Sequence, residues 1–152
     1  MEYRKASIDE AEKVCYIVQY TKAEIYPKYY TKEVVDFFGR LHSIDKITED
    51  ITKGTVWVLL ADGEMVGTGS CTDNHITRVY VLPKFQGRGY GSYIMNELEK
   101  NIFQAYDFCD LDASLPACIF YEKRGYHTKK HMQHDIGEGA LMIYEIMEKQ
   151  RL

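Results

Sequence analysis

The sequence predicts an α+β (mixed α/β) fold in which helices flank one central sheet. Runs rich in β-branched and other apolar residues, typical of strands, alternate along the chain with stretches whose apolar residues recur at the helical spacing. The dipeptide Asp62-Gly63 separates two of the strand-like runs and is typical of a tight antiparallel hairpin. The length of 152 residues suits one domain, which we place at residues 1–152.

The first third of the chain is predicted to form a short strand and three helices. Residues 2–7 are the strand, and a helix with apolar residues at helical spacing follows. Pro27 interrupts this helix, because proline cannot donate the helical hydrogen bond. Thr31 is expected to cap a second helix that ends at Gly39, and residues 44–53 form a third helix.

The remainder of the chain is predicted to supply most of the sheet. Residues 55–61 form a continuous apolar run and therefore a strand buried on both faces. A strand at residues 64–72 returns from the hairpin. Further along, we expect strands at residues 76–82, 108–113, 126–131 and 141–147, and helices at residues 92–104 and from Pro116 to Gly125.

The composition argues against several classes of function. The net charge of −4 leaves no basic patch for nucleic acid, and no apolar run approaches the roughly 18 residues of a membrane span. The four cysteines match no zinc spacing, and the histidines between residues 127 and 134 lie beside lysines that repel a cation, so we expect no bound metal. The N-terminus lacks the apolar core of a secretory leader, which predicts a cytoplasmic protein with reduced thiols.

A glycine-rich segment, Gln86-Gly87-Arg88-Gly89-Tyr90-Gly91, stands between a predicted strand and a predicted helix. Glycine lets the backbone approach a ligand closely, and the unpaired N–H groups at the start of a helix attract anions. The segment therefore predicts a phosphate site. It lacks the lysine of a nucleotide P-loop, and its place in mid-chain after a hairpin does not fit a dinucleotide fold. A plain surface turn requires fewer glycines than these.

Two segments together carry a family resemblance. In the first, residues 79–83 read Val-Tyr-Val-Leu-Pro and precede the glycine-rich segment, which is similar to a strand followed by Gln/Arg-x-x-Gly-x-Gly/Ala. In the second, residues 117–126 read Ala-Cys-Ile-Phe-Tyr-Glu-Lys-Arg-Gly-Tyr, which is similar to Ala-x-x-Phe-Tyr-Glu-Lys-x-Gly-Phe. Together they resemble the Gcn5-related N-acetyltransferase (GNAT) family. The resemblance implies the acyl-CoA N-acyltransferase fold, with a twisted and mostly antiparallel sheet.

The resemblance implies that the donor is acetyl-CoA, which leaves as CoA. In the family, the pyrophosphate rests on N–H groups of the glycine loop, and the pantetheine arm pairs with the preceding strand, which a bulge splays from its neighbour. Ser114 stands where the family often has asparagine. The residues implied in donor binding are Val79, Tyr80, Val81, Gln86, Gly87, Arg88, Gly89, Tyr90, Gly91, Ser92, Ser114 and Tyr121.

The resemblance also implies direct acyl transfer to a primary amine in a ternary complex. The backbone N–H of Val81 would polarise the thioester carbonyl. Tyr121 would act as general acid toward the leaving thiolate, because the pKa values of a phenol and a thiol lie close together. Cys118 lies near the expected slot, but no histidine is locally placed to activate it as a nucleophile.

The general base is left open by the sequence. An alkylammonium must lose a proton before it attacks, and some family members carry a glutamate near the place of Thr77, which cannot act as a base. Asp73 and His75 are nearby candidates, acting through water, although each is also an ordinary residue for a loop after a strand.

The early aromatic segment is expected to form part of the acceptor site. Tyr26, Tyr29 and Tyr30 could grip the amine of a small molecule or peptide, or could simply cover the sheet. Two other activities fit the same motifs, namely a module that binds acyl-CoA without catalysis and a transferase of a longer acyl group. A homodimer is compatible with the resemblance, because family members often pair through sheet edges.

Overall fold

The computed structural model describes residues 1–137 and 139–152, and a seven-stranded sheet forms the centre of these residues. The strands are β1 (Glu2–Lys5), β2 (Val56–Ala61), β3 (Glu64–Thr72), β4 (His75–Val81), β5 (Phe108–Ser114), β6 (His127–Asp135) and β7 (Leu141–Gln150). Their order across the sheet is β1-β2-β3-β4-β5-β7-β6, and β4 and β5 run parallel whereas the other neighbours run antiparallel. The predicted α+β architecture with a mostly antiparallel sheet is confirmed.

Within the described residues, five α-helices flank the sheet. They are α1 (Ala11–Ile25), α2 (Lys32–Leu41), α3 (Ile44–Thr52), α4 (Tyr90–Ile102) and α5 (Cys118–Lys123). Gly39 lies inside α2, so the expectation that it ends this helix was wrong. The carbonyl oxygen of Gly39 accepts a hydrogen bond from Nε2 of Gln19 in α1 at 3.1 Å, and this contact helps to offset the weak helix propensity of glycine.

The helices pack on both faces of the sheet. Val58 and Met65 join α1 and α3 in one core cluster, whereas Leu59 and Val66 join α4 in the other. Neighbours along a strand point to opposite faces, so β2 contributes apolar side chains to both clusters. The prediction that this apolar run is a buried strand is therefore confirmed.

The hairpin between β2 and β3 has the predicted tight turn. Asp62 and Gly63 have φ values of 52° and 79°, and a type I′ turn requires positive φ at both central residues. The flanking residues Ala61 and Glu64 pair directly, as a two-residue loop demands.

Two glycines of β3 bring α4 close to the sheet. A Cβ atom at Gly69 would lie 2.6 Å from Cγ2 of Ile94 and 3.0 Å from Cδ1 of Leu98, and one at Gly67 would lie 2.9 Å from Cδ1 of Ile94. Only hydrogen at these positions allows the helix to pack at this distance. The close packing fixes where the first turn of α4 lies relative to β4.

Two of the four cysteines belong to the core. Cys71 and Cys109 are buried in the cluster under α4. All four cysteines are free thiols. Within the described ranges, no helix combines the length and apolarity that crossing a lipid bilayer requires.

Candidate active site

Strands β4 and β5 separate along their length and open a cleft. In the described residues, their pairing is confined to His75 with Asp110 and Ile76 with Leu111. Both strands continue well beyond these positions, so their later residues stand apart instead of bonding to each other. The separation agrees with the splayed strand that the family resemblance implies.

A β-bulge lies in β4 next to the point of separation. Arg78 and Val79 together face the single residue Gly69 of β3. Arg78 has a φ of 47°, a left-handed conformation that is uncommon for a residue with a large side chain. A bulge bends and twists its strand, so this one turns the second half of β4 away from β5.

The cleft has a volume of about 980 Å³, at the upper end of the range for small-molecule and cofactor pockets. Residues of β4 and β5 form its floor, the glycine-rich segment and the start of α4 form one rim, and residues of α1 and α2 form a wall. Of the residues implied in donor binding, all except Arg88 line this cleft.

The backbone of Val81 faces the open side of β4. The N–H of Leu82 donates to the carbonyl oxygen of Val66 in β3 at 3.0 Å. Residues alternate along an antiparallel ladder, so the N–H and carbonyl groups of Val81 point away from β3. Its carbonyl oxygen accepts a hydrogen bond from Nε2 of Gln86 at 2.9 Å, which ties the loop to the strand. The N–H of Val81 is thus directed toward the cleft.

The glycine loop and the start of α4 present backbone donors to the cleft. Gly87 and Gly89 have φ values of 78° and 86°, and no described heavy atom lies within 4 Å of an added Cβ at either position. The first helical hydrogen bond runs from the N–H of Tyr93 to the carbonyl oxygen of Gly89 at 3.0 Å. The N–H groups of residues 90–92 therefore have no acceptor within the helix. These donors, the open space and the positive end of α4 fit a pyrophosphate.

Two details of the loop, the start of α4 and the place of Arg88, depart from the expectations, and a third concerns packing at Gly91. The helix α4 begins at Tyr90, earlier than the predicted residue 92, because Gly89 takes a left-handed conformation and serves as its N-cap. A Cβ at Gly91 would meet the ring of Phe120 at an ordinary 3.5 Å, so packing within the chain does not require glycine there. Arg88 lies outside the cleft lining, and its guanidinium carbon is 5.5 Å from the ring of Phe85. That cation–π contact holds the side chain away from the cleft.

Tyr121 lines the cleft from α5 and is buried. Burial, reinforced by the nearby Tyr26, raises the pKa of Tyr121 well above its ordinary value. The phenol therefore keeps its proton at neutral pH, and complete proton transfer to a thiolate is not the nearly balanced step expected from the sequence. A hydroxyl in this state is suited to donate a hydrogen bond to a developing thiolate.

His75 lies between two carboxylates at the floor of the cleft. Its Nδ1 atom is 2.6 Å from Oδ1 of Asp110, and its Nε2 atom is 3.9 Å from Oδ2 of Asp112. An imidazole that donates from Nδ1 to a carboxylate leaves its lone pair on Nε2. Both His75 and Asp112 line the cleft, so this lone pair belongs to a group that a ligand can reach.

Asp73, the other candidate base, is not brought to the cleft. It lies in the turn between β3 and β4 with a φ of 54°, and its Oδ1 accepts a hydrogen bond from the hydroxyl of Tyr106 at 3.3 Å. The turn directs this carboxylate to the surface. His75, which begins β4, is the candidate that the fold places at the site.

The tyrosines expected at the acceptor site take two different places. Tyr26 and Tyr29 line the cleft. Tyr30 is not among the lining residues, because its hydroxyl donates to the carbonyl oxygen of Ile143 at 3.0 Å and accepts from the N–H of Leu115 at 2.7 Å. Tyr30 therefore holds the cleft wall to β7 and does not face a ligand.

Cys118 is poorly suited to act as a nucleophile. Burial, with a contribution from Glu145, raises the pKa of its thiol to about 11. The reactive thiolate is therefore scarce at neutral pH. Among the described residues, no group of three or more His, Cys, Asp or Glu side chains is placed to hold a metal ion.

Sequence reasoning missed several residues of the cleft. Asp112 lines the cleft, and Asp110 contacts His75 beside it. Both alternate along β5 with Ser114, which the family resemblance already implied, and so point to one face of the sheet. This repeat of polar residues at every second position of a strand was visible in the sequence. Thr21 and His42 also line the cleft, from α1 and from the end of α2. No sequence pattern connects these two residues, because only the packing of the helices brings them together.

Comparisons with known proteins agree with this geometry. The family described as "Acetyltransferase (GNAT) domain" matches residues 52–128. The uncharacterized N-acetyltransferase YafP of Escherichia coli is 29% identical over 85 residues, which are 56% of this chain and 54% of that protein. The chain thus matches about half the length of this curated relative.

Two solved structures have the same fold. A Rhodopseudomonas palustris protein described as a GCN5-related N-acetyltransferase superposes with a TM-score of 0.89 at 23% identity, over 99% of this chain and 95% of that one. PaiA N-acetyltransferase of Thermoplasma acidophilum, in complex with coenzyme A, gives a TM-score of 0.76 at 21% identity, over 99% and 98% of the two chains. With the family match extending over half of its length, the chain belongs to the GNAT acetyltransferase family.

Proposed function

We propose that residues 1–152 act as one catalytic domain that transfers an acetyl group from acetyl-CoA to a primary amine by direct attack in a ternary complex. The observation that carries the proposal is a single cleft that joins a phosphate-binding loop to the gap between β4 and β5. PaiA, which shares the fold, was solved with coenzyme A and supports the choice of donor.

The donor would be held by backbone groups. The N–H groups of residues 90–92, together with Gly87 and Gly89, would receive the pyrophosphate. The pantetheine arm would then lie along the open edge of β4, where Val81 directs its backbone into the cleft. Acetyl-CoA supplies an activated acyl carbon whose bond to sulfur breaks as the bond to nitrogen forms.

His75 is the general base of the proposed reaction. The ammonium form of an amine has no lone pair with which to attack, so one proton must leave first. Nε2 of His75 can accept that proton, directly or through water, while Asp110 holds the opposite nitrogen and orients the ring. The imidazolium that forms lies between the carboxylates of Asp110 and Asp112.

Val81 and Tyr121 stabilise the charges that develop at the acyl carbon and at sulfur. The N–H of Val81 donates to the carbonyl oxygen as negative charge builds there. Tyr121 donates a hydrogen bond to the leaving thiolate from the opposite side of the cleft. Because burial holds the pKa of Tyr121 high, the thiolate would draw its final proton from solvent as the product leaves.

The test is acetyl-CoA binding by calorimetry followed by a thiol-release assay over a panel of primary amines, with products read by mass. We expect micromolar-range donor binding and release that depends on an amine. Donor binding without release on any amine would favour a non-catalytic acyl-CoA module. Faster release from a longer acyl-CoA than from acetyl-CoA would instead identify a longer-chain transferase. Absence of any binding to CoA thioesters would overturn the proposal.

A further inference from the structure

The end of the cleft between α1 and α2 holds buried polar groups that the transfer reaction does not use. Thr21 is 3% exposed, and its hydroxyl has no hydrogen-bond partner in the described part of the chain. Nδ1 of His42 is likewise buried and unpaired among those residues. Both residues line the cleft. Leaving buried polar atoms unpaired is unfavourable, so this end of the cleft is incomplete without a polar ligand.

The same end of the cleft has an excess of buried positive charge. Arg78 lines the cleft with a side chain that is 6% exposed, and one of its nitrogens, Nη2, contacts the carboxylate of Asp50. Lys22 is 3% exposed, and its Nζ donates to the carbonyl oxygen of Phe38 at 2.6 Å. Over residues 1–137 and 139–152, Lys22 forms no ion pair with a carboxylate. Of these two buried cations, only Arg78 therefore has a carboxylate partner among the described residues.

The protonation behaviour of the cluster agrees with this shortage of negative charge. Burial lowers the pKa of Lys22 to about 7. Burial, followed by the charges of Lys22 and Arg78, lowers the pKa of His42 to about 3, so its ring stays neutral at physiological pH. A negatively charged ligand group would offset the cost of burying these cations and would accept hydrogen bonds from Arg78 and Thr21.

We propose that this end of the cleft, defined by Thr21, His42 and Arg78 with Lys22 behind them, binds a carboxylate of the acceptor, so that the acceptor is an amino carboxylate with an apolar body. The proposal rests on the proposed function, because it places the acceptor amine toward His75 in the same cleft. Ile25, Phe38 and Leu41 line the adjoining wall and supply the apolar contacts.

The experiment compares matched pairs that differ by one carboxylate, L-phenylalanine with phenethylamine and L-leucine with 3-methylbutylamine. Binding to the CoA-saturated protein is measured by calorimetry at pH 7, so that the result does not depend on turnover. We expect the carboxylated member of at least one pair to bind about tenfold more tightly, as a charge-assisted hydrogen bond predicts. Equal binding within both pairs, tighter binding of the plain amines, or no binding of either amino acid overturns the carboxylate site.

A pair of conservative variants separates ligand binding from structure. Thr21→Val removes the unpaired hydroxyl and keeps the shape, so we expect it to leave the melting temperature unchanged or raised while the preference for the carboxylated member falls about threefold. Ser70→Ala is the control, because its hydroxyl is also buried and unpaired among the described residues but does not line the cleft. An unchanged preference in Thr21→Val, or an equal loss in Ser70→Ala, contradicts the assignment.

These outcomes are distinct from failure of the proposed function. Failure of acetyl-CoA to bind would overturn the transferase proposal. In that event, tight binding of the amino acids to the protein without CoA would still support the carboxylate site, whereas normal donor binding without a carboxylate preference would overturn this site alone.

Discussion

Nδ1 of His75 lies 2.6 Å from Oδ1 of Asp110, where the parallel strands β4 and β5 make their short contact. Among the described residues, β4 and β5 are the neighbouring strands that run parallel, and this contact lies where they pair. It fixes the orientation of the imidazole and leaves Nε2 toward the cleft.

The first prediction concerns His75 as the general base. We expect His75→Gln to lower kcat about 10²- to 10⁴-fold, the usual contribution of a general base. The remaining activity should rise with pH, because a larger fraction of the amine has already lost its proton to solvent at alkaline pH. The measurement is kcat over pH 6–10 with a saturating acceptor. Asp73→Asn is the control outside the cleft and should match the wild type. An unchanged pH profile in His75→Gln would exclude this role.

The second prediction concerns the hydroxyl of Tyr121. We expect Tyr121→Phe to lower kcat about 10- to 100-fold, in line with the loss of one hydrogen bond to a charged group. The Kd for acetyl-CoA should change little, because the bond forms as the thiolate develops. A comparison of leaving groups sharpens the test. With a thioester whose thiol is more acidic, Tyr121→Phe should lower kcat by a smaller factor, because that thiolate needs less stabilisation. If the variant turns over at the wild-type rate with acetyl-CoA, Tyr121 does not assist the leaving group.

The third prediction concerns the glycine-rich loop as the proposed site of the pyrophosphate. Gly89→Glu places a carboxylate at the start of α4, and we expect the affinity for acetyl-CoA to fall about 100-fold through charge repulsion. Gly63→Glu is the matched control, because Gly63 also has a positive φ and open space around it but lies in the β2–β3 turn. Both variants should lose a similar amount of stability. Calorimetric titration with acetyl-CoA would refute the loop assignment if the two variants bound it alike.

The fourth prediction concerns the contact of β3 with α4. We expect Gly69→Ala to lower the free energy of unfolding by about 1–3 kcal/mol, because the added Cβ overlaps Ile94. Gly39→Ala is the control, since a Cβ there would meet Gln19 at an ordinary 3.7 Å within a helix. It should raise stability by about 0.5–1 kcal/mol. Urea unfolding measures both values, and equal effects of the two changes would contradict the close packing.

The fifth prediction concerns the dependence of stability on pH. The pKa of Lys22 is about 7 in the folded protein and near 10.4 when the chain is unfolded. Between these values the unfolded chain binds the extra proton, so the penalty for burying Lys22 is full below about pH 7 and is relieved as pH rises. We expect Lys22→Met to flatten the rise in the free energy of unfolding between pH 7 and 10. Lys13→Met, an exposed change in the same helix, should keep the wild-type slope; a wild-type slope in Lys22→Met would be contrary to this account.

Local patterns predicted most of the elements because their causes are local. The apolar run of β2 and the Asp62-Gly63 turn follow from side-chain alternation and from the need for positive φ. The same reasoning failed at Gly39, which lies inside α2 and whose carbonyl oxygen accepts a hydrogen bond from Gln19 in another helix. The end of a helix can depend on a neighbour that is distant in sequence.

The residues of the candidate site also fall into those that the sequence predicted and those that it did not. The glycine loop was predictable because its donors, its glycines and its helix are consecutive in sequence. The choice between Asp73 and His75 was not, because it depends on which side chain the β3–β4 turn directs to the surface. Arg88 was expected to meet the donor, and Tyr30 either to meet the acceptor or to cover the sheet. Their contacts with Phe85 and with Ile143 place both outside the cleft lining.

The sequence by itself determined the family resemblance, the strand and helix pattern and the place of the glycine-rich loop, because each depends on residues close together in the chain. Only the tertiary structure decided which groups meet in the cleft. Thr21, His42 and Arg78 come from two helical segments and a bulged strand, and their shared burial gives them a common electrostatic environment. That environment arises from packing and desolvation, which no single segment of the sequence contains.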